Sequence, residues 1–291
     1  MTDLLSLDAV AAMDDATFVE TFGDLFEHSP WVAERVARAR PFASVTEMHD
    51  MMMGAVEAAE DDEKLSLLRA HPDLAGKAAL AGELTHASTG EQASAGLDTL
   101  TPEEMERFTE LNTAYSMRFG FPFIMAVKGA DKARILAGFE GRLGNARTDE
   151  MQRALAEVGK IAWLRLLDRV APAPTGKLTT HVLDTAAGRP ANGLPVTLHR
   201  LDGERRTEVG RFVTNDDGRL DAPALQGADF TAGTYEWVFE CGVYFARTGT
   251  ETHAPPFLDR VPLRFGISNP EAHYHVPLLL SPWALSTYRG S

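Results

Sequence analysis

The sequence predicts two domains: an all-α helical domain at residues 1–170 and an antiparallel β-sandwich at residues 177–291, with a linker at 171–176. The length of 291 residues suits two domains of roughly 150 residues each. The spacing of apolar residues changes from helical to alternating near residue 170. Charge divides at the same place, because residues 1–176 carry 17 basic and 29 acidic side chains, whereas the remainder carries 11 and 13.

The composition is that of a globular protein with apolar cores. Hydrophobic residues make up 44% of the chain and charged residues 24%, which is ordinary for such proteins. With a net charge of -14 and no basic stripe, the chain is not expected to bind nucleic acid. No stretch approaches the ~20 apolar residues of a membrane span. Met1–Leu5 lacks the basic and apolar regions of a secretory signal, so we expect a cytoplasmic protein.

Cysteine and histidine usage argues against disulfide and metal sites. Cys241 is the only cysteine, so no disulfide can form within the chain, which fits a reducing compartment. A catalytic thiol is conceivable there, but we expect a small buried residue inside a strand-like run. The nine histidines have no cysteine partners at zinc spacing. No motif for a metal, pyridoxal phosphate or thiamine is present, and no cofactor is expected.

Helical spacing and capping signals run through the first domain. Apolar residues at Phe18, Phe22, Leu25 and Phe26 form one helical face. Ser44 with Glu47 has the spacing of a capping box, and Thr101-Pro102 has that of a helix start. The further helices that the pattern predicts are Trp31–Arg40, Lys132–Arg142 and Asp149–Arg169.

Two segments interrupt this pattern. His71 precedes Pro72 and is therefore expected at a helix end, facing a cleft. Ser88 and Glu91 have the S-x-x-E spacing, which by itself favours another capping box. The apolar stretch 119–127, broken by glycine and proline, is typical of a buried connector between helices.

Four motifs carry a resemblance to a known family: HPDLAGKAALAGELT, S-x-x-EQ-x-x-AGL, FGFPFIMAV and IAWLRL. Residues 7–168 resemble the decarboxylase of 2-oxo-4-hydroxy-4-carboxy-5-ureidoimidazoline (OHCU). The resemblance implies that His71 is a catalytic acid. It also implies a set of substrate-binding residues: Pro72, Ser88, Glu91, Gln92, Phe123, Ile124, Val127 and Arg165.

These residue types suit a decarboxylation. Arg165 offers a planar fork for a carboxylate or ureido oxygen. His71 can supply a proton near neutral pH, since the ordinary pKa of histidine is about 6.5. Glu91 and Gln92 can bind urea-like N–H and carbonyl groups. The resemblance implies a route without a cofactor.

After the linker, which holds two prolines and a glycine, short strands alternate with turns, and this favours a sandwich. The expected strands are 177–184, 195–201, 234–246, 263–267 and the tail from His273, and residues 210–219 are expected to form a strand that runs into a turn. The Asp-Gly pair at 217–218 marks a tight turn.

The motifs LTTHVLDTAAGRPA, TNDDGR and HYHVPLLLSP, with a closing STYRGS, resemble 5-hydroxyisourate hydrolase, of the transthyretin-like family. The resemblance implies a transthyretin-like sandwich that assembles as a tetramer, with active sites where subunits meet, and leaves open a dimer contact through the helical domain. The implied catalytic residues are His181, Arg219, His275 and Ser291, with Tyr288 in the substrate pocket. Taken alone, each of three residues also has a purely structural interpretation. His181 could be a strand surface residue, Arg219 a charged residue in a turn, and His275 a half-buried histidine with its hydrogen bonds satisfied. His199, His253 and His273 receive no role.

The two resemblances imply consecutive steps of urate breakdown. The second domain would hydrolyse 5-hydroxyisourate to OHCU, and the first would decarboxylate OHCU to (S)-allantoin, which makes these two small molecules the expected substrates. Two alternatives stay open: the transthyretin fold also serves non-catalytic ligand binding, and the helical domain could be only an assembly module.

Overall fold

The computed structural model describes residues 4–76 and 85–290, apart from the side chains of residues 86 and 87. The chain forms two compact units, Met1–Ala171 and Pro172–Ser291. The first unit is helical and the second is rich in strands, so the predicted order of a helical and a strand-rich domain is confirmed. Within the described ranges, no helix is long and apolar enough to cross a membrane.

The first unit is built from helices, most of which begin at a capping side chain. These helices are α1 (Leu7–Ala11), α2 (Asp15–Phe22), α3 (Trp31–Val36, with a 3-10 turn at Ala37–Ala39), α4 (Val45–Glu57), α5 (Asp61–Arg69), α6 (His86–Ser94), α7 (Pro102–Phe119), α8 (Lys132–Arg142) and α9 (Arg147–Leu167). Ser44 caps α4 by accepting a hydrogen bond from the Glu47 amide, and Thr101 and Glu104 form a full capping box on α7.

The core of this unit is apolar and partly aromatic. Phe18, Phe22, Leu25 and Phe26 are at most 1% exposed, as their helical spacing predicts, although α2 ends at Phe22 and turns follow. The stretch 119–127 has no regular structure after α7 and is largely buried, as predicted for a connector, although Gly120 is exposed. Side chains provide hydrogen-bond partners for its backbone groups. Arg142 donates to the Ile124 carbonyl oxygen, and the Ala126 amide donates to the buried carboxylate of Glu157.

Among the residues described, the second unit contains three sheets, one α-helix and a 3-10 turn at Gly227–Asp229. The strands are β1 (Lys177–Thr179), β2 (Val182–Asp184), β3 (Arg189–Pro190), β4 (Pro195–Asp202), β5 (Arg205–Val213), β6 (Leu225–Gln226), β7 (Gly233–Glu240), β8 (Arg260–Ile267), β9 (His273–His275), β10 (Leu278–Leu280) and β11 (Leu285–Thr287). The sheet orders are β6-β1-β9, β11-β10-β2-β3 and β5-β4-β7-β8.

The pairing is not antiparallel throughout, contrary to the expected sandwich. The β5-β4-β7-β8 sheet is antiparallel, but β1 pairs parallel to β9 and β2 pairs parallel to β10. Parallel partners need a long crossover between them, and here the other strands of the unit supply it. The paired residues Thr179 and His275 are 96 positions apart.

The predicted strand 234–246 is wrong beyond Glu240. Residues Cys241–Thr248 form a helix, α10, that buries Cys241, Tyr244 and Phe245. Their i, i+3, i+4 spacing is that of one helical face, which outweighs the strand-like composition. Cys241 is fully buried and free, and burial raises the pKa of its thiol to about 12, so it is the small buried residue expected.

Candidate active sites

The predicted residues of the helical unit line one small cavity. His71 follows α5, Ser88, Glu91 and Gln92 lie on α6, and Arg165 lies on α9. The cavity of about 30 Å³ is also lined by Pro72, Phe123, Ile124 and Val127, together with Leu74, Met125 and Ile161. The elements that supply these residues are far apart in sequence, and the fold brings them to one place.

His71 presents a single free nitrogen. Its Nδ1 donates to the Leu67 carbonyl oxygen at 2.9 Å, one helical turn back. Its Nε2 is buried and has no hydrogen-bond partner among the described residues. Burial lowers the pKa of His71, although hydrogen bonding to Leu67 and the charge of Glu27 act in the opposite direction. The neutral imidazole is therefore favoured, and its Nε2 is left without a hydrogen-bond partner among the described residues.

Arg165 is held on both sides by carboxylates. Its Nε and Nη2 donate to the two Glu91 oxygens at 2.8 and 3.0 Å, and Nη1 donates to Glu27 at 2.8 Å. Nη2 also donates to the Ser88 hydroxyl at 3.1 Å. The guanidinium is 5% exposed, so its position is fixed by these contacts and not by solvent.

Glu27 is a member of this site that the sequence interpretation missed. Its carboxylate is 1% exposed and accepts hydrogen bonds from Thr85, Ser88 and Arg165. The backbone at Glu27 and at the next residue has φ of 28° and 48°, a left-handed conformation that costs free energy in non-glycine residues. The sequence held one signal for this residue: a carboxylate comes directly after Phe26, the last residue of a predicted buried face.

The capping-box interpretation of Ser88 and Glu91 is wrong. The cap of α6 is Thr85, whose hydroxyl accepts from the Ser88 amide, whereas the Ser88 side chain donates to Glu27. Gln92 also has a local task, because its carbonyl oxygen accepts from the Ala75 amide at 2.9 Å. It thereby holds the loop that follows His71.

In the second unit, a hydrogen-bonded turn presents Arg219. The Asn215 side chain accepts from the amides of Asp217 and Arg219 at 3.1 and 3.0 Å. Gly218 has φ of +70°, and an added Cβ would lie 2.3 Å from the Val182 carbonyl oxygen. Only glycine fits there. The turn forms an isolated bridge between Arg219 and His181.

Arg219 and His275 line a cavity of about 400 Å³, together with Thr179, Thr180, Leu220, Asp221, Ala222, Pro223 and His273. Burial lowers the pKa of His275, and the charge of Arg219 lowers it further. The same two causes lower the pKa of His181. Both half-buried imidazoles are therefore held in the neutral form at neutral pH.

Gly290 packs against His275 and pairs with its backbone. The Gly290 amide donates to the His275 carbonyl at 2.8 Å, and the His275 amide donates back at 3.3 Å. A Cβ at Gly290 would lie 2.9 Å from Cδ2 of the His275 ring. Tyr288 is 59% exposed and does not line the cavity. Ser291, expected to be catalytic, lies outside the described residues.

No group of three or more metal-binding side chains is arranged for a metal ion within residues 4–76 and 85–290. The chemistry available at the two sites is that of imidazole, guanidinium, carboxylate and hydroxyl groups. The first site combines a buried cation with a single free imidazole nitrogen. The second combines neutral imidazoles with an arginine.

Sequence profiles of two families match this chain. That of OHCU decarboxylase matches residues 11–167, and that of the HIUase/transthyretin family matches residues 178–290. The helical unit belongs to the OHCU decarboxylase family, and the strand-rich unit belongs to the HIUase/transthyretin family. The order of the two domains agrees with the resemblances found in the sequence.

Relatives support each half. A 5-hydroxyisourate hydrolase of Rhizobium meliloti is 57% identical over 117 residues, which cover 40% of this chain and 98% of that protein. An OHCU decarboxylase of Haloferax volcanii is 48% identical over 165 residues, which cover 57% of this chain and 96% of the relative. A crystal structure of (S)-allantoin synthase is 44% identical with a TM-score of 0.86, covering 99% of this chain and 100% of its own.

Proposed function

We propose that this chain is a bifunctional allantoin synthase of urate breakdown. The strand-rich unit hydrolyses 5-hydroxyisourate to OHCU, and the helical unit decarboxylates OHCU to (S)-allantoin. The observation that carries the proposal is the similarity to (S)-allantoin synthase along 99% of the chain. The two constellations of side chains support it, because each suits one of two consecutive reactions.

In the decarboxylation, the bond between the ring carbon and the carboxylate breaks, CO2 leaves, and the electron pair stays on the substrate. Arg165 is the cation that can bind the anionic substrate, and Ser88 adds a hydrogen-bonding group beside it. An anion next to His71 favours the protonated imidazole, which offsets the effect of burial. The Nε2 then carries the proton that the substrate carbon takes once CO2 has left.

Substrate binding through Arg165 requires a side chain to move, because two carboxylates contact its guanidinium at 2.8 Å. The cavity of about 30 Å³ beside His71 and a second cavity of about 520 Å³ share Glu91, Val127, Ile161 and Arg165 as lining residues. Glu91 is the most exposed of the polar residues that hold Arg165, at 24% for its side chain. It also carries the same charge as the substrate carboxylate. We infer that the substrate displaces Glu91 from Arg165 while Glu27 remains as the buried counter-ion.

In the hydrolysis, a water molecule attacks a carbonyl carbon of the cyclic amide, and the C–N bond of the ring then breaks. A neutral imidazole of His181 or His275 takes the proton of the water and returns one to the leaving nitrogen. Arg219 stabilises the negative charge that develops on the carbonyl oxygen. Tyr288 is exposed on a single chain, and we propose that it contributes with Ser291 to the substrate pocket where subunits of the tetramer meet.

The finer structural expectations are part of this proposal. The decarboxylase spans residues 1–170, the linker 171–176, and the hydrolase 177–291 as a transthyretin-like sandwich. The hydrolase unit assembles as a tetramer in the cytoplasm, and the reaction needs no cofactor. Size-exclusion chromatography with light scattering measures the assembly directly.

The test supplies freshly generated 5-hydroxyisourate to the purified protein and follows ultraviolet absorbance and circular dichroism. Rapid loss of substrate and the lasting dichroism of (S)-allantoin are expected. Decay no faster than in buffer would exclude the hydrolase. Fast decay to a racemic product would leave only the second unit as an enzyme and the helical unit as an assembly module.

A further inference from the structure

One hydroxyl group in the strand-rich unit lies between two histidines. The Thr179 Oγ1 is 2.8 Å from Nε2 of His273 and 2.9 Å from Nδ1 of His275. The arrangement follows from strand register, because β1 and β9 are parallel and place Thr179 beside His275 and Lys177 beside His273. The same three side chains line the cavity that also contains Arg219.

A hydroxyl group has one proton to donate and two lone pairs, so at most one of the two ring nitrogens can accept from Oγ1 and at least one must donate to it. If Nδ1 of His275 carries no proton, Nε2 of His273 must therefore carry one. The tautomer of His275 is in this way linked, through Thr179, to that of His273. A ring nitrogen that is fixed by one hydrogen bond determines what the opposite nitrogen can do.

We propose that Thr179 and His273 are positioning residues of the hydrolase, which fix the ring orientation and the tautomer of His275. The inference rests on the proposed hydrolytic function. In the productive arrangement, Nδ1–H of His275 donates to Thr179, and the Thr179 hydroxyl donates to Nε2 of His273. The Nε2 of His275 then keeps its lone pair and can accept the proton of the attacking water.

The surroundings support this direction. Burial, and next the charge of Lys177, lower the pKa of His273 and so favour its neutral ring, which has one nitrogen able to accept a hydrogen bond. When His275 becomes protonated, its Nδ1–H bond to Thr179 is retained, so the ring does not have to turn during the reaction. The charged and titratable groups that act on His275 are Arg219, His273 and His181.

The test uses the full chain and three threonine variants. Thr179→Val removes the hydroxyl at nearly constant volume, and Thr179→Ser retains it. Thr185→Val is the matched control, because its hydroxyl donates only to the Leu280 carbonyl at the end of β2. Decarboxylation of OHCU by the other unit, measured on the same samples, corrects for the amount of active protein.

We expect Thr179→Val to lower kcat for hydrolysis about 10- to 100-fold with little change in KM, the usual effect of removing a residue that orients a reactive group. Thr179→Ser should restore most of the rate, and Thr185→Val should retain it. His273→Ala should cause a similar loss, and the double variant of Thr179 and His273 should be no slower than either single variant, because both act through one hydrogen-bonded unit.

Nitrogen-15 NMR of the imidazole rings provides a readout that a purely structural role would not change. The wild-type His275 should carry its proton on Nδ1, and Thr179→Val should shift it towards Nε2. An unchanged tautomer, an unchanged kcat in Thr179→Val, or multiplicative losses in the double variant would each overturn the proposal. A wild-type chain that fails to hydrolyse 5-hydroxyisourate would instead remove the proposed function, and this is measured first.

Discussion

Replacing Glu27 by glutamine removes a charge from the most deeply buried part of the decarboxylase site and changes the side-chain volume little. Its carboxylate is 1% exposed and receives hydrogen bonds from Arg165, Ser88 and Thr85. A glutamine offers one acceptor oxygen and places an NH2 group against the remaining donors. Of the two carboxylates that contact the buried guanidinium among the described residues, only Glu91 then remains.

The contacts of Glu27 determine how much folding free energy the Glu27→Gln change should cost. Removing one partner of a buried ion pair costs about 3–5 kcal/mol. Arg165 retains the Glu91 carboxylate at 2.8 Å, so we expect the lower end, about 3 kcal/mol. For a unit of this size that corresponds to a fall in Tm of roughly 6–12 °C. Glu91→Gln is the matched control, and it should cost less because the Glu91 side chain is 24% exposed and water can replace it.

The pH dependence of this effect has a definite sign. Burial alone would raise the pKa of Glu27, but the charge and hydrogen bonds of Arg165 hold it below its ordinary value of 4.5. A carboxylate with a lowered pKa stabilises the folded state above its unfolded pKa, and this stabilisation is lost as pH falls through the folded value. The difference in stability between wild type and Glu27→Gln should therefore shrink below about pH 4.5.

Thermal and urea unfolding of the full chain, followed by circular dichroism of the helical unit, measures the loss. Decarboxylation should fall as well, because Arg165 and Ser88 lose their common partner, whereas hydrolysis of 5-hydroxyisourate should be unchanged. An unaltered Tm for Glu27→Gln beside a lowered Tm for Glu91→Gln would refute the argument from burial.

Four further predictions concern the two reactions. His71→Ala should slow decarboxylation about 10²- to 10⁴-fold, and OHCU should accumulate in the ultraviolet spectrum and fade to racemic allantoin. Gly290→Ala should reduce hydrolysis about 10²-fold while decarboxylation persists, because the new Cβ would lie 2.9 Å from the His275 ring; stopped-flow absorbance would show this. Arg219→Lys should lower kcat for hydrolysis by about 10²-fold or more, since the planar fork at the developing oxyanion is lost. Burial, and next the charge of Arg219, lower the pKa of both His181 and His275, so both imidazoles should stay unprotonated somewhat below pH 6.5. The kcat/KM for hydrolysis should therefore hold down to that pH, and a profile that already falls above pH 6.5 would contradict this.

The periodicity of the sequence predicted much of the helical unit and less of the strand-rich one. Helix Lys132–Arg142 has the predicted bounds, since a capping aspartate and regular apolar spacing define it locally. Helix Cys241–Thr248 was missed, because aromatic and branched residues in a short apolar run suit either structure. The parallel pairs β1–β9 and β2–β10 depend on contacts 96 residues apart, which no local pattern encodes.

The site was predictable where a motif carried it. His71 and Arg165 came from sequence resemblance, and the structure places both at one cavity. Glu27 and Thr179 were missed because their importance arises from which distant groups they contact. His273 was left without a role, since its alternation with His275 says nothing about the hydroxyl between them. The spacing also predicted a helix cap at Ser88. In the structure, the Ser88 side chain instead turns towards Glu27, because it donates a hydrogen bond to that carboxylate.

The parallel pairing of β1 and β2 with strands near the end of the chain has a consequence for protein synthesis. The helical unit closes when Val170 meets Leu5, so a growing chain can fold it while later residues are still being translated. One edge of β1 and one edge of β2 stay unpaired during synthesis until their parallel partners, 96 residues later in the chain, have been made. A product that ends before β10 would join a finished decarboxylase to open strand edges, which favour aggregation. Loss of the last strands by premature termination should therefore affect the yield of both activities, although the decarboxylase site itself is complete.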